Sequence, residues 1–290
     1  MQISFNTKFL IVGLGLMGGS YAKGLKKAGY TVYALSDKQE TIDYAMKNNI
    51  IDNGSSEVNS ELVAAADIII FALYPKVFVD WINNNQHLIK TGTLITDVTG
   101  VKTSIIDEIN AILRDDIEFI AAHPMAGREV YGVENSDEKI FYGANYIVVP
   151  TDKNTQEAVN ICKEIGKILK FAKISELSAT EHDDMIAFLS QLAHCIAVCL
   201  MTCNEAEHLE DYTGDSFRDL TRIANINENM WSELFLLNRE PLLNMMELFE
   251  KDFVTLKNHI KNGDSEAIKD MMRRSTARRR LFNKNITEVK

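Results

Sequence analysis

The sequence predicts an N-terminal α/β domain with a doubly wound parallel sheet, followed by an all-α domain. Turn-forming residues are concentrated in the first half: most of the fifteen glycines and three of the four prolines lie at or before residue 150, whereas most methionines follow residue 184. Strand-like runs also alternate with helical segments only in this first part. We therefore expect one domain over residues 1–174 and a helical domain over residues 175–290.

Short apolar runs, typical of strands that are buried on both faces, recur through the first domain. They cover residues 8–13, 31–35, 67–73, 93–96, 118–122, 146–149 and 171–174. Segments of helical periodicity separate them. These helical segments cover residues 16–29, 39–48, 77–88, 102–113 and 154–170.

After about residue 175 the strand pattern ends. Residues 178–201 show long apolar periodicity without glycine or proline, and residues 215–222, 227–237 and 241–261 are also helical in pattern. Long helices with apolar faces predict a bundle or a dimer interface.

The composition of the chain limits the kinds of molecule that we expect it to bind. The 290 residues are 46% hydrophobic and 25% charged, with a net charge of −10, which is typical of a folded protein of two domains. A negative field repels phosphate backbones and anionic lipid, so we expect neither nucleic acid nor membrane as a partner. Because no export signal precedes the first strand and the four cysteines lack disulfide or zinc spacing, we expect a cytoplasmic protein without a metal site.

The hexapeptide GLGLMG at residues 13–18 follows the first strand and begins the first helix. In this pattern the first glycine permits a tight turn, the second lets a pyrophosphate approach the backbone, and the third lets helix and strand pack closely. The helix N-terminus adds N–H donors and a positive dipole. The context therefore predicts a dinucleotide site in a Rossmann-type domain. The expected contacts are Gly13, Gly15, Leu16, Met17 and Gly18.

The end of the second strand decides between NAD and NADP, because it faces the adenosine ribose. Asp37 stands about where an acid would bind the 2′-hydroxyl of NAD, whereas Ser36 with Lys38 nearby would suit a 2′-phosphate. The sequence leaves both cofactors open and leans toward NAD. We expect further cofactor contacts from Pro75 and Asp97, at the ends of two other strands.

Polar residues also follow two later strands, at residues 96–102 and 123–127. Side chains just past the carboxyl ends of parallel strands line the ligand crevice. The ordinary pKa of histidine, about 6.5, suits His123 to accept a hydroxyl proton as hydride leaves the same carbon. Taken alone, a histidine at a strand end is more often structural, and the nicotinamide site in the same domain shifts the prediction for His123 toward function.

Five segments together resemble the prephenate/arogenate dehydrogenase family of tyrosine biosynthesis. They are GLGLMGGS at 13–20, TDVTGVK at 96–102, HPMAG at 123–127, LSQLAH at 189–194, and FRDLTRIA at 217–224 with Met-Trp at 230–231. The resemblance implies a Rossmann domain and a helical domain through which two chains dimerise. It also implies NAD(P)-dependent oxidative decarboxylation of prephenate to 4-hydroxyphenylpyruvate.

The resemblance also implies roles for individual residues. His123 matches the family's catalytic histidine, which takes the hydroxyl proton. Arg222 matches an arginine that binds a substrate carboxylate, for which a guanidinium is well shaped. His194 matches a position near the substrate, and Glu129 and Asp219 match a polar network with that arginine.

Three departures from the family pattern bear on the site, and one of them is the cofactor segment at Ser36-Asp37, which lacks the commoner pattern. Many relatives have a serine at the position of Gly100 that helps to orient the catalytic histidine, so we expect Thr99 or a water molecule to do this here. Many also read His-Leu-Pro-His at residues 191–194, so the role of the first histidine passes to Gln191 or is lost. Because His194 is retained, the sequence favours prephenate over arogenate.

The sequence is also compatible with other functions. The same chemistry on arogenate is one alternative, and an NAD-binding regulator without catalysis is another. A 3-hydroxyacid dehydrogenase would need a lysine and an asparagine near the start of the interdomain helix, and residues 175–188 contain neither. His182, among acids at a helix start, is interpreted as solvated, and Trp231 as a core residue. No C-terminal regulatory domain of the kind some relatives carry is expected after the helical domain.

Overall fold

One eight-stranded sheet contains the strands of the computed structural model, which describes residues 2–282. In chain order the strands are β1 (Lys8–Val12), β2 (Thr31–Leu35), β3 (Asn53–Ser55), β4 (Ile68–Phe71), β5 (Leu94–Asp97), β6 (Glu118–Met125), β7 (Asn145–Val149) and β8 (Lys173–Glu176). Their order across the sheet is β3-β2-β1-β4-β5-β6-β7-β8. This is the doubly wound α/β arrangement that the sequence predicts.

Six helices accompany the sheet: α1 (Leu16–Lys27), α2 (Gln39–Lys47), α3 (Ser60–Ala65), α4 (Pro75–Asn85), α5 (Thr103–Ile112) and α6 (Gln156–Ile168). The helices after the sheet are α7 (Ala179–Ile186), α8 (Leu192–Thr202), α9 (Asp215–Thr221), α10 (Glu228–Leu237), α11 (Arg239–Lys261) and α12 (Ser265–Arg280). The last of the strands precedes the first of these helices, so the all-α character of the second half is confirmed for the described residues.

The hydrophobic core lies on both faces of the sheet. Along β1, Phe9 and Ile11 pack into one cluster with residues of α1 and α6, while Leu10 and Val12 pack into another with residues of α4 and α5. Successive side chains of a strand point to opposite faces, so a strand covered by helices on both sides must be apolar throughout. The strand segments of the sequence are continuously apolar because both of their faces are buried.

The sheet departs from the purely parallel arrangement at one point, because β7 pairs antiparallel with β6 and β8 is parallel to β7. The segment between β6 and β7 contains only 3₁₀ turns, over Val133–Asn135 and Glu138–Phe141. A parallel neighbour needs a crossover connection, usually a helix, whereas a chain that returns directly pairs antiparallel. The short elements β3 and α3 are also absent from the sequence-based expectation, since both are too short to carry a clear hydrophobic period.

Helices α7 and α8 form one continuous helical stretch with a π-helical segment, Ala187–Gln191, between them. Ser178 begins it with a capping box that includes Glu181. Among the described residues this 24-residue stretch is the one helix long and apolar enough to cross a membrane, a property that central helices of soluble proteins share. Only 28% of the most apolar part of this stretch is buried within the chain.

The chain divides into two compact units, Met1–Arg239 and Glu240–Lys290. The second unit contains nearly all of α11 and the whole of α12. Asp264 caps the start of α12, and three arginines occupy its last turn, where the helix dipole favours positive charge. The residues that carry the site described below all lie in the first unit.

Candidate active site

The turn after β1 requires glycine at two of its three motif positions. Gly13 has φ +94°, and a Cβ there would lie 2.4 Å from the carbonyl oxygen of Ala72. A Cβ at Gly18 would lie 1.9 Å from the carbonyl oxygen of Gly13. At Gly15, by contrast, a Cβ would meet nothing within 4 Å. Gly13 is therefore required for the turn and Gly18 for the packing of the helix on the turn, whereas Gly15 borders open space.

The N-terminus of α1 is suited to bind an anion. Gly15 is its N-cap, no side chain caps the helix, and no acidic residue occupies its first turn. Leu16 and Met17 are half-buried in that turn. Uncapped N–H groups and the positive end of the helix dipole favour a phosphate here. The residues present thus fit a dinucleotide pyrophosphate above Gly15.

The other expected cofactor residues lie along the same edge of the sheet. Because β1 and β2 are parallel and Val12 is in register with Leu35, Ser36 and Asp37 follow β2 beside the glycine turn. Asp37 is exposed, and Pro75 is buried at the first position of α4.

Asp97 does not face a ligand, contrary to the sequence-based expectation. Its side chain is fully buried, and Oδ2 pairs with Nζ of Lys102 at 2.6 Å, while Oδ1 accepts from the N–H of Ala122 at 3.1 Å. The Lys102 side chain is equally buried, and this burial lowers its pKa. A buried charge pair of this kind needs its hydrogen bonds inside the protein, so Asp97 is committed to the loop after β5.

Thr99 belongs to this buried pair and does not orient His123. Its hydroxyl lies in hydrogen-bond contact with Asp97 and with the carbonyl of Val101, and it accepts from Lys102 at 3.1 Å. The neighbouring Gly100 leaves space that a side chain of α10 fills, since a Cβ there would be 3.4 Å from Leu234.

His182, which sequence reasoning interpreted as solvated, is the residue that holds His123. His182 is fully buried on α7, and its Nε2 lies 2.8 Å from Nδ1 of His123. His123 itself lies within β6, which is longer than expected because it pairs with β7 as far as Met125. The helical spacing from His182 to the core residue Ile186 was a signal in the sequence that His182 points inward.

Burial sets the protonation state of this pair. It lowers the pKa of His123 well below the ordinary value, an effect to which His182 and Lys102 add. Burial also lowers the pKa of His182. Both imidazoles are therefore neutral near pH 7, and a neutral imidazole is what a proton acceptor requires.

A group of polar residues lies on the loop after β6 and on the helical segments beside it. Arg222 forms an ion pair with Glu129, six residues beyond His123, and both side chains are substantially exposed. Glu129 also interacts electrostatically with His194. The structure therefore brings Arg222, Glu129 and His194 together near the end of β6. Asp219 is exposed on α9.

His194 is held in a fixed orientation on α8. Its Nδ1 donates to the carbonyl of Ser190 at 2.9 Å, and its ring stacks on Trp231 with centroids 3.7 Å apart. Burial lowers its pKa. Trp231 is only partly buried, so it supports His194 from α10 and is not a core residue.

Gln191 is also placed differently from the expectation. Its side chain is 1% exposed; Nε2 donates to the carbonyl of Leu234 at 2.9 Å, and Oε1 accepts from Asn238 at 2.7 Å. Both ends of the amide are thus used inside the helical segments. The residue helps to fix α10 against α8 and leaves no polar atom for a substrate.

Helix α10 also contacts the carboxyl edge of the sheet, a contact that no sequence pattern indicated. Glu233 accepts from the N–H of Lys76 at 2.7 Å, in the first turn of α4. Asn227 donates to the hydroxyl of Tyr74 at 3.2 Å. These bonds hold the helical segments against the crevice. The described residues contain no group of three His, Cys, Asp or Glu side chains that could hold a metal ion.

Comparisons with known proteins agree with this geometry. Residues 21–174 match the family model for the nucleotide-binding domain of prephenate dehydrogenase, and residues 178–274 match the model for its dimerization domain. A prephenate dehydrogenase from Lactococcus lactis subsp. cremoris is 34% identical over 271 residues, which cover 90% of this chain and 73% of that protein.

Solved structures show the same fold. The structure of prephenate dehydrogenase from Aquifex aeolicus in complex with hydroxyphenyl propionate and NAD⁺ has a TM-score of 0.89 and 27% identity, covering 98% of this chain and all of that one. The structure of Synechocystis arogenate dehydrogenase has a TM-score of 0.82 and 22% identity, covering 96% of this chain and 100% of that one.

The different surroundings of Gly15 and Gly18 predict opposite defects on substitution. Gly15→Ala should fold normally but bind the nicotinamide cofactor about tenfold more weakly, or ~1.4 kcal/mol, because its methyl group takes the space of the pyrophosphate. Gly18→Ala should lose about 1–3 kcal/mol of unfolding free energy, because its methyl group meets backbone. Thermal unfolding and cofactor titration by fluorescence separate the two. Equal affinity in Gly15→Ala and wild type would contradict the assignment.

Proposed function

Because this chain belongs to the prephenate dehydrogenase family, we propose that it oxidises and decarboxylates prephenate, yielding 4-hydroxyphenylpyruvate, carbon dioxide and reduced nicotinamide cofactor. The observation that carries the proposal is His123, a neutral imidazole held by His182 at the carboxyl edge of a dinucleotide-binding sheet. Arg222, Glu129 and His194 lie together at the loop that follows β6, the strand that carries His123.

The reaction removes a hydride and a carboxylate from one ring. The carbon–hydrogen bond at the hydroxyl-bearing carbon breaks, and a nicotinamide cofactor held at the glycine turn would supply the acceptor for that hydride. The hydroxyl proton passes to His123 as the carbon–oxygen double bond forms. The bond to the ring carboxylate then breaks, its electron pair enters the ring, and the oxygen recovers the proton as the phenol. Because the ring becomes aromatic, the protein needs mainly to position the substrate and move one proton.

Arg222 is suited to bind a carboxylate of the substrate. Its guanidinium is exposed and already pairs with a carboxylate, that of Glu129. An exposed ion pair is weak, so a substrate carboxylate can replace Glu129 at small cost. The bidentate fork of arginine also provides the local positive charge that a dianionic substrate needs on a protein of net charge −10.

His194 is placed to contact the side chain of the substrate. Since its Nδ1 donates to Ser190, its Nε2 is the nitrogen left for a ligand, and its ring lies against that of Trp231. Nε2 of the neutral ring only accepts hydrogen bonds, so it would donate to the keto oxygen of prephenate only when the ring is protonated. The proposal of prephenate as the substrate therefore rests on the relatives, of which the Lactococcus lactis protein is a prephenate dehydrogenase.

NAD is the cofactor that the chain favours. Asp37 is exposed just beyond β2, where a carboxylate can accept a hydrogen bond from the ribose 2′-hydroxyl and repels a 2′-phosphate. The similar enzyme from Aquifex aeolicus is itself a complex with NAD⁺.

Purified protein should reduce NAD when prephenate is added, and His123→Asn should lower kcat by roughly 10²–10⁴-fold because proton transfer is lost. Absorbance of the reduced nicotinamide follows the reaction with prephenate and arogenate, each tested with NAD and NADP. His87→Asn, on an exposed 3₁₀ turn, serves as the control and should keep full activity. Failure of all four combinations would refute the proposal.

Substitution of Arg222 should act on substrate binding. Arg222→Gln should raise KM for prephenate about 10–100-fold, the loss of one charge-assisted hydrogen bond of about 1.5–3 kcal/mol, with kcat changed much less. Steady-state kinetics with saturating cofactor measures both values. Arg218→Gln, one turn earlier on α9 and also exposed, is the matched control. A normal KM in Arg222→Gln would remove the carboxylate-binding role.

The active protein is proposed to be a soluble, cytoplasmic homodimer. Phe188, Leu189 and Met201 on the stretch from α7 to α8 are 46%, 48% and 49% exposed, and the match to a dimerization domain begins at residue 178. A second copy of the chain would cover this apolar face. Sedimentation equilibrium in buffer without detergent should give the mass of two chains. A monomer, or a protein that stays in solution only with detergent, would contradict this.

A further inference from the structure

Three side chains lie in a row behind the proton-accepting nitrogen. Oδ1 of Asp183 is 2.8 Å from Nδ1 of His182, and Nε2 of His182 is 2.8 Å from Nδ1 of His123. Asp183 and His182 are adjacent on α7, whereas His123 lies on β6. Each ring nitrogen between the carboxylate and Nε2 of His123 thus has one hydrogen-bond partner inside the protein.

The carboxylate can only accept hydrogen bonds while it is ionised. Its Oδ1 accepts from the N–H of Lys102 and its Oδ2 from the N–H of Thr103, both at 2.8 Å. These N–H groups belong to the start of α5, where the helix dipole also favours negative charge. Burial opposes ionisation, but hydrogen bonds from His182 and Thr103 outweigh it and lower the pKa of Asp183.

An ionised Asp183 determines where the protons of both imidazoles lie. Nδ1 of His182 must carry a proton, because its partner is an acceptor. A neutral imidazole has one N–H, so Nε2 of His182 is an acceptor and Nδ1 of His123 must donate to it. Nε2 of His123 is then left with its lone pair.

We propose that Asp183 is a positioning residue, which acts through His182 to hold His123 in the tautomer whose Nε2 can accept the substrate proton. The inference rests on the proposed function, because only that reaction gives the lone pair a task. The same logic applies to the aspartate of serine-protease triads, which fixes the tautomer of a histidine. Here one further imidazole is inserted between the carboxylate and the base.

The surroundings of the row preserve this arrangement. The charged groups that face the two imidazoles are Asp183 itself and the buried pair of Lys102 with Asp97. Lys102 and burial disfavour a charged imidazole, which would carry two N–H groups and destroy the order of donors and acceptors. Asn238 donates to the backbone carbonyl of Asp183 at 3.0 Å and so helps to hold that residue in place.

Replacement of the carboxylate by an amide reverses the order. In Asp183→Asn an amide whose NH₂ group faces His182 donates to Nδ1 of that ring, which moves the ring's proton to Nε2 and leaves Nε2 of His123 protonated; this orientation also loses the bond from the Lys102 N–H. We expect kcat to fall on the order of 10²–10⁴-fold, as for the aspartate-to-asparagine change in a triad, with KM and cofactor affinity within about twofold of wild type. Asp184→Asn, at the exposed neighbouring position, is the control and should be fully active.

Nitrogen-15 NMR of the ring nitrogens gives a readout that needs neither substrate nor catalysis. In wild-type protein Nδ1 of His123 should be protonated and Nε2 unprotonated, with assignment by comparison with His123→Asn. A wild-type protein with the opposite tautomer would overturn the inference even if Asp183→Asn did not fold. Full activity of a folded Asp183→Asn in an active wild-type background would also overturn it, whereas an inactive wild type would count against the proposed function alone.

Discussion

The carboxylate of Asp183 connects the two parts of the molecule on which the site depends. It accepts two N–H groups from the start of α5, in the sheet domain, and one from His182, on the first helix after the sheet. Through His182 it reaches His123 on β6. Because a buried carboxylate is costly unless its oxygens are satisfied, this contact is stable only when α5, α7 and β6 meet in one geometry. The position of α7 and the orientation of the His123 imidazole therefore follow from the same interaction.

A second buried interaction, the ion pair of Lys102 with Asp97, orders the loop that carries the N–H groups bound by Asp183. Burial of Lys102 and Asp97 costs desolvation free energy. Hydrogen bonds to Asp97 offset this cost, and they come from the Lys102 ammonium, the N–H groups of Thr99 and Ala122, and the Thr99 hydroxyl. The pair holds the loop between β5 and α5 in a single conformation. That loop presents the first N–H groups of α5 to Asp183. The polar residues after β5 are therefore buried and hold the start of α5 in place, and they do not line the site.

The groups proposed to contact ligand and the groups that support them differ in burial. Gly15, Asp37, Arg222 and Glu129 are open to solvent, so they are free to contact cofactor and substrate. Asp97, Thr99, Lys102, His182, Asp183 and Gln191 are buried, and their polar atoms are used within the protein. His123 and His194 lie between these groups, each with Nδ1 bonded to the protein. Nδ1 of each imidazole can therefore keep a fixed hydrogen-bond partner while Nε2 gains or loses a proton.

The fold class and the glycine turn could be predicted from the amino-acid sequence, because strand periodicity and backbone sterics are local. Motifs a few residues long were enough to propose His123 and Arg222 as site residues. The sequence did not determine the direction of β7, the burial of Gln191, or the role of His182, 59 residues from His123. Those depend on which surfaces meet after folding. A histidine among acids is solvated or buried according to what packs over it, and at His182 this depends on the contact between α7, α5 and β6.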